Sequence, residues 1–256
     1  MSQDPVVPSR FTPPAAAPLR LGAIMRIALE MYRAAPGAVL GIALISTVPN
    51  LVLSVGGQLA YGTHSGTRAV MQGLLSLLPQ LLLGPLSIAA TAVIAMQLFA
   101  GMPAHAGSAL ERVGLRFWPL AAVVVVSSVG IVIGGLALLI PGIYLAVVWL
   151  FAPIVAVVES LGLRSALARS AALAKGAFWW LLAGYLAIQI TVALGALVLT
   201  DLVDLTLTSI NGDSGIVLRG LATCLALTVV TPVASLGLSL MYLSRRVSER
   251  GSWPAP

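Results

Sequence analysis

The chain has 256 residues, of which 59% are hydrophobic and only 9% charged, with a formal net charge of +6. Average soluble domains contain about 45–50% apolar and about 25% charged residues, so this composition excludes an ordinary soluble globular protein. The basic residues are dispersed in ones and twos rather than gathered with aromatics into a patch, which argues against nucleic acid and favours a membrane surface as the partner.

The N-terminal segment differs from the rest of the chain. Its sequence, MSQDPVVPSRFTPPAAAPLR, is rich in proline and has no apolar stretch after its first charges. This pattern is not that of a secretory signal peptide. We predict a disordered tail over 1–20, a membrane domain over 21–245 and a short C-terminal tail over 246–256.

Long intervals without any Asp, Glu, Lys or Arg predict the membrane spans. These intervals cover 37–67, 69–110, 117–158, 176–200 and 220–244. A spanning helix needs about 20 apolar residues, so the third interval accommodates two, with Pro141 and Gly142 as the turn between them. The predicted spans are therefore 36–60, 76–100, 119–140, 142–159, 177–200 and 218–243. Residues 61–78 fit either a loop with an interfacial helix or the start of a second span broken at Pro79.

Basic residues in the connecting segments predict the orientation. One side carries Arg10, Arg20, Arg26, Arg33, Arg112, Arg116, Arg164, Arg169, Lys175, Arg245, Arg246 and Arg250. The other side has Arg68 and Arg219, beside Asp201, Asp204 and Asp213. Positive charge marks the cytoplasmic side. We therefore expect a multi-pass protein of the inner membrane with both termini in the cytoplasm.

Short amphipathic helices are predicted before the pairs of spans. In the first, Arg26, Glu30 and Arg33 share one arc and Ile24, Ala28, Met31 and Tyr32 occupy the opposite side. The strings AIMR (23–26), ALER (109–112) and ALAR (166–169) mark three such segments, each before a hairpin. We expect these helices to lie along the cytoplasmic interface. The three units are either a true internal repeat or a chance similarity in a chain rich in Ala and Leu.

Catalytic and metal-binding patterns are missing from the sequence. The two histidines, His64 and His105, are predicted on opposite sides of the membrane, and the single cysteine, Cys224, lies in an apolar run. There is no HExxH motif and no phosphate-binding glycine loop. We therefore expect no catalytic residue, metal or cofactor.

Polar and proline residues within the spans leave transport open. Four prolines, Pro49, Pro85, Pro153 and Pro232, would bend their helices. Asn50, Gln97 and Gln189 need hydrogen-bond partners inside the membrane, and we expect these amides to join helices rather than to contact a substrate.

Glu159 is the only carboxylate at the end of a span next to a basic helix. If the following helix extends back through it, Glu159 faces the side of Ala166 and Ser170, away from Arg164 and Arg169. A buried carboxylate needs a counter-charge, and Arg26 and Arg112 are the candidates. We predict a structural ion pair that clamps the cytoplasmic helices, with proton or substrate coupling as the alternative.

The basic faces of the cytoplasmic helices predict contacts with anionic lipid headgroups, each worth about 1 kcal/mol near a charged leaflet. The candidate residues are Arg26, Arg33, Arg112, Arg116, Arg164, Arg169 and Lys175. The alternative is that these charges only set the topology.

The segment PGIYLAVVWLFAPIVAVVESLGLRSALARSAALAKGAFWWLL, residues 141–182, carries a resemblance. Its matching residues are Pro141, Gly142, Pro153, Glu159, Ala166, Leu167, Arg169, Ser170, Leu173, Gly176 and Trp179. In these positions the chain resembles the membrane-domain family named after glycerophosphoryl diester phosphodiesterases. That resemblance implies a membrane domain that is sometimes fused to a soluble phosphodiesterase barrel and often has no assigned activity. No soluble segment here is long enough for a barrel of about 250 residues, so we do not expect phosphodiesterase activity.

The sequence thus predicts an all-α integral membrane protein, a six-span helical bundle with amphipathic interfacial helices on the cytoplasmic side. We expect a non-enzymatic protein that interacts with lipids or assists membrane organisation. The alternative is a transporter or channel for a small or lipidic solute. Membrane lipids are the expected partners, and assembly into a homo-oligomer stays open.

Overall fold

The computed structural model describes the backbone over residues 21–61, 67–207 and 213–250, and side chains over 21–59, 83–207 and 214–249. These parts of the chain contain ten helices and no strand. The helices are α1 (Leu21–Ala34), α2 (Pro36–Tyr61), α3 (Thr67–Phe99), α4 (Ala106–Leu115), α5 (Phe117–Ala137), α6 (Leu139–Val148), α7 (Ala152–Val158), α8 (Leu163–Ala174), α9 (Phe178–Thr206) and α10 (Asp213–Arg250). The predicted tail over 1–20 lies outside the described residues.

Within the described residues, five stretches are long and apolar enough to cross a membrane, as expected of a multi-pass membrane protein. They are Pro36–Leu59, Phe117–Ala137, Leu139–Val158, Phe178–Thr206 and Ser214–Glu249. In α3, the apolar part with described side chains is the shorter Leu83–Phe99. Of the uncertain residues 61–78, Tyr61 ends α2 and α3 begins at Thr67, so residues from 67 onward are helical.

The short helices bury one face. In α1, Ile24, Ala28 and Met31 are buried while Arg26 and Arg33 are exposed, which confirms the amphipathic pattern. α4 buries Ala109 and Val113, and α8 buries Ala166, Ser170, Leu173 and Ala174. Together with α7 and with parts of α2, α3, α5, α6, α9 and α10, these helices form the main buried core. We call this end of the bundle the α8 end, and the opposite end, where α9 ends and α10 begins, the α9–α10 end.

The turn between α5 and α6 lies at Leu138, and the prediction of a turn at Pro141 and Gly142 is wrong. Proline is tolerated in the first turn of a helix, where its missing N–H would have no partner, so Pro141 lies in the first turn of α6 without breaking it. The tip of this hairpin carries large apolar side chains that are strongly exposed: Leu136, Leu138, Leu139 and Ile140.

Glycines let α5 and α6 approach at backbone distance. A Cβ atom added to Gly142 would lie 2.6 Å from the Cα of Gly135, and one added to Gly130 would lie 2.5 Å from the ring of Trp149. A Cβ atom added to Gly134 would lie 3.3 Å from the backbone of Gly142. Gly130 and Gly134, four residues apart, therefore allow the close packing of this hairpin.

The helical segment after the turn of this hairpin is interrupted, and Ser170 satisfies backbone groups at the interruption. Trp149, Leu150 and Phe151 separate α6 from α7, so backbone groups there lose their helical partners. The Ser170 hydroxyl donates to Val148 O at 2.8 Å and accepts from the N–H of Phe151 at 3.2 Å. Since Pro153 lies in the first turn of α7 and has no N–H to continue the preceding helix, the break has a clear sequence cause. The contact attaches α8 to the broken span.

Replacing Gly142 by Ala tests the close approach. We expect the melting temperature in detergent to fall, by the equivalent of about 1–3 kcal/mol, because the added methyl group meets backbone that cannot move aside. Gly135→Ala is the matched control, since a Cβ atom there meets nothing within 4 Å. Equal melting temperatures for the two variants would contradict the packing of the hairpin.

Candidate functional site

A cavity of about 830 Å³ lies between α2, α3, α9 and α10 and is the candidate functional site; we call it the polar cavity. Its volume is in the range of about 300–1,000 Å³ that is usual for small-molecule sites. Within the described chain, its polar lining consists of Ser46, Thr47, Asn50, Ser54, Gln58, Ser87, Tyr185, Gln189, Asp204, Arg219, Thr223, Cys224, Thr231 and Ser235.

Helical periodicity places these side chains on facing walls. On α2, Ser46, Asn50, Ser54 and Gln58 follow one another at intervals of four residues, which puts them on one face. On α10, lining residues recur at the same interval over 219, 223, 227, 231 and 235, with Leu227 as the apolar member. The cavity thus has two long polar walls inside otherwise apolar helices.

Two hydroxyl groups of the cavity are oriented as acceptors. Ser46 donates to Ala43 O at 3.0 Å and Thr231 to Leu227 O at 2.7 Å, each within its own helix. Because the proton is used in this bond, lone pairs of each oxygen remain for another donor. Thr47 and Thr228 join α2 to α10, with 2.8 Å between their hydroxyl oxygens.

The charged residues of the described lining lie at the α9–α10 end. Asp204 is in the last turn of α9, and Arg219 is in the second turn of α10, where its Nη2 donates to Leu207 O at 3.0 Å. One acidic and one basic residue give this lining no net charge. The described side chains deeper in the cavity are amides, hydroxyls, one thiol and apolar groups.

The amides that the sequence singled out separate into two groups. Asn50 and Gln189 line the polar cavity. Gln97 does join segments, because its Nε2 donates to the Ser108 hydroxyl at 2.9 Å near the start of α4. The four-residue spacing on α2 and α10 was the signal in the sequence that could have predicted the cavity.

A second polar site, the Glu159 cluster, lies at the α8 end and consists of Glu159, Arg169, Tyr242, Arg246 and Glu249. The Glu159 side chain is 8% exposed. Its carboxylate accepts from Tyr242 Oη at 2.9 Å and from Arg169 Nε at 3.3 Å, and lies 3.5 Å from Arg246 Nε. Arg169 also donates to Glu249 at 2.8 Å. The cluster therefore joins α7, α8 and α10.

The predicted partners of Glu159 need correction. Its salt bridges are with Arg169 and Arg246, whereas Arg26 pairs with Glu30 within α1 at 3.9 Å and Arg112 lines a small pocket with Gln97 and Ser108. The prediction that Glu159 faces away from Arg169 is also wrong. It assumed one continuous helix, but Ser160 has a φ of 54° and α8 begins only at Leu163, which changes the helical phase.

The Glu159 cluster fixes the charge on Arg169. Burial lowers the pKa of this guanidinium, but the Glu159 and Glu249 carboxylates outweigh burial, so the pKa is raised above its usual value. Nearby, Arg245 donates to the carbonyls of Leu173 at 3.1 Å and Lys175 at 3.3 Å, which satisfies the end of α8. Residues 246–250, predicted as part of a tail, continue α10 instead.

The other predicted lipid-contact residues lie at the same end of the bundle. Arg26, Arg33, Arg112, Arg164 and Lys175 are exposed on or beside α1, α4 and α8, and Arg116 is half-buried between α4 and α5. Arg169 differs from them because two carboxylates hold it.

Replacing Glu159 by Gln tests the cluster. We expect a loss of about 3 kcal/mol in unfolding free energy, because Arg169 and Arg246 lose a buried counter-charge. The measurement is the melting temperature of the purified protein in detergent. Glu111→Gln, at an exposed carboxylate on α4, is the control. Equal melting temperatures for the two variants would show that the cluster does not clamp the helices.

Comparison with known proteins provides no family for this chain. No protein-family model matches it, and no curated protein or solved structure matches it either. The resemblance carried by residues 141–182 therefore stays a prediction, and the function has to be derived from the polar cavity and the Glu159 cluster.

Proposed function

We propose that this chain is a non-enzymatic integral membrane protein that binds a small solute in the polar cavity, as a transporter or carrier does. The observation that carries the proposal is the convergence of polar residues from α2, α3, α9 and α10 on one cavity. Polar groups inside spans are costly and are generally kept for structure or function. Packing alone does not explain them here, because they line open space.

Two features favour binding over catalysis. The described lining has one carboxylate, Asp204, and it contains no histidine that could serve as a base. Amides, hydroxyl oxygens and apolar side chains instead alternate along the walls. Such a lining suits recognition of a solute that has both polar and apolar parts.

The proposal includes six spans, with α3 as the sixth. At 33 residues, α3 is long enough to cross, and its packing against α2 and α10 supports this assignment. We place the α8 end in the cytoplasm of a cell with an inner membrane, because the exposed arginines of α1, α4 and α8 gather there. Each of these short helices precedes a pair of long segments, which supports the three-unit repeat and the proposed family.

Contact with anionic lipid is a second proposed property, supported by the exposure of Arg164 and Lys175 beside the membrane segments. We expect native mass spectrometry from nanodiscs with phosphatidylglycerol to detect retained lipid, and Arg164→Gln/Lys175→Gln to reduce it several-fold. This double variant leaves Arg169 and the Glu159 cluster intact. Unchanged lipid retention in the double variant would show that these charges only set the membrane topology.

Thiol labelling tests whether the polar cavity admits water and solute. In a Cys224→Ser background, we expect a charged methanethiosulfonate reagent to modify Thr223→Cys at least ten times faster than Leu225→Cys. Thr223 lines the cavity, whereas Leu225, two residues away, is 65% exposed on the outer surface of α10. The reagent attacks the thiolate, which needs water to form. Equal, slow modification of both positions would contradict the proposed site.

A further inference from the structure

Gln189 occupies an unusual position in the bundle. It lines the polar cavity, and its side chain is also exposed on the surface of the molecule. It lies eleven residues after Phe178, the first residue of α9. At about 1.5 Å per residue this is about 16 Å along the helix, near the middle of a hydrocarbon layer about 30 Å thick. An amide is thus open to the surroundings at mid-membrane depth.

The second half of α9 forms an edge of the cavity rather than a closed wall. No residue from 189 to 206 is buried. This half of the helix rests on α10, where a Cβ atom on Gly195 would contact Val230 at 3.5 Å. Its outer residues, Ile190, Leu194 and Leu197, are apolar and more than half exposed. A cavity-facing amide and a lipid-facing apolar surface therefore meet on one helix.

The wall opposite this edge is α2, and we call the space between α2 and α9 the gap. Within the described residues, α2 and α9 both pack on α10 but do not form an extended interface with each other. Asn50, on the cavity side of α2, is half-buried, and the neighbouring Val52 is 63% exposed. Partly exposed side chains therefore border the cavity on both α2 and α9.

The chemistry around the gap restricts what can enter. Gln189 forms no side-chain hydrogen bond within the described chain, and an amide left in hydrocarbon without a partner costs at least about 1–3 kcal/mol. A molecule that already resides in the bilayer and carries a polar head meets this need. The described lining has no net charge, with Asp204 and Arg219 as its acidic and basic residues, so a headgroup without net charge adds no uncompensated charge to the cavity.

We infer that the ligand of the polar cavity is a membrane lipid with an uncharged or zwitterionic headgroup, which enters sideways between α2 and α9. This inference rests on the proposed solute-binding function and names its substrate class. The headgroup exchanges hydrogen bonds with the Gln189 amide and donates to hydroxyl oxygens such as that of Thr231 on α10. The acyl chains leave through the gap along the apolar surface of α9.

Photo-crosslinking in proteoliposomes tests this inference. The probes are phosphatidylethanolamine and phosphatidylglycerol, each carrying a diazirine near the headgroup and an alkyne for capture. With the full-length protein, we expect phosphatidylethanolamine to label the cavity-lining peptides of α2 and α10 several times more than phosphatidylglycerol. Peptides of α5, whose Val129 and Ile133 are exposed on the outer surface, provide the internal reference for labelling by bulk lipid.

Two variants of α9 make the result specific. Gln189→Leu is expected to reduce cavity labelling several-fold while labelling of α5 stays constant. Thr191→Val is the control, because Thr191 is exposed, does not line the cavity and only donates to Ala187 O within its own helix. Its labelling pattern should equal that of the wild type.

Labelling confined to outer surfaces, or cavity labelling unchanged by Gln189→Leu, would overturn lateral lipid entry. Equal cavity labelling by the two lipids would overturn the choice of headgroup. Neither result would contradict the proposed binding function if Thr223→Cys still reacts faster than Leu225→Cys with the charged reagent. Failure of both experiments would instead remove the polar cavity as a binding site.

Discussion

The Ser170 hydroxyl is the contact on which the arrangement of the α8 end depends. Backbone groups inside a membrane protein have to be satisfied by the protein itself, since hydrocarbon offers no partner. The break between α6 and α7 leaves a carbonyl and an N–H open, and Ser170 satisfies both. This fixes the position of α8, brings Arg169 to Glu159 and thereby gives the last turns of α10 their ionic partners. A serine on a short helix thus positions charged groups on three segments.

α10 connects the two polar sites. Its last turns belong to the Glu159 cluster, and lining residues between positions 216 and 238, on both sides of Pro232, form a wall of the polar cavity. The charges of the cluster hold one end of the helix against α8. The cavity wall packs on α2, α3 and α9, and the Thr47 and Thr228 hydroxyls join it to α2. The anchored end and the cavity wall therefore share one continuous helix.

The sequence predicted the membrane segments well because charge is excluded from hydrocarbon and leaves long uncharged intervals. It also predicted the buried face of α1, which depends only on helical periodicity. The prediction of the hairpin turn was wrong because LALLIPG has no polar residue to mark the turn, and a proline fits either a turn or a helix start. The prediction of the partners of Glu159 was wrong because the left-handed conformation of Ser160 shifts the helical phase of α8. The polar stripes were visible at their four-residue spacing, but which helices face one another is decided by tertiary packing.

The α5–α6 hairpin has a consequence for the lipid around the protein. α5 has 21 residues and α9 has 29, and the tip of the shorter hairpin consists of Leu136, Leu138, Leu139 and Ile140 with most of their surface exposed. A tip of this composition is stable in hydrocarbon and not in water. In a bilayer, the hydrocarbon has to surround this apolar tip, so the membrane surface beside α5 and α6 lies at a different height from the surface beside α9 and α10. The protein therefore favours an uneven membrane thickness around its circumference, a hydrophobic mismatch that deforms one side of the annular lipid more than the other.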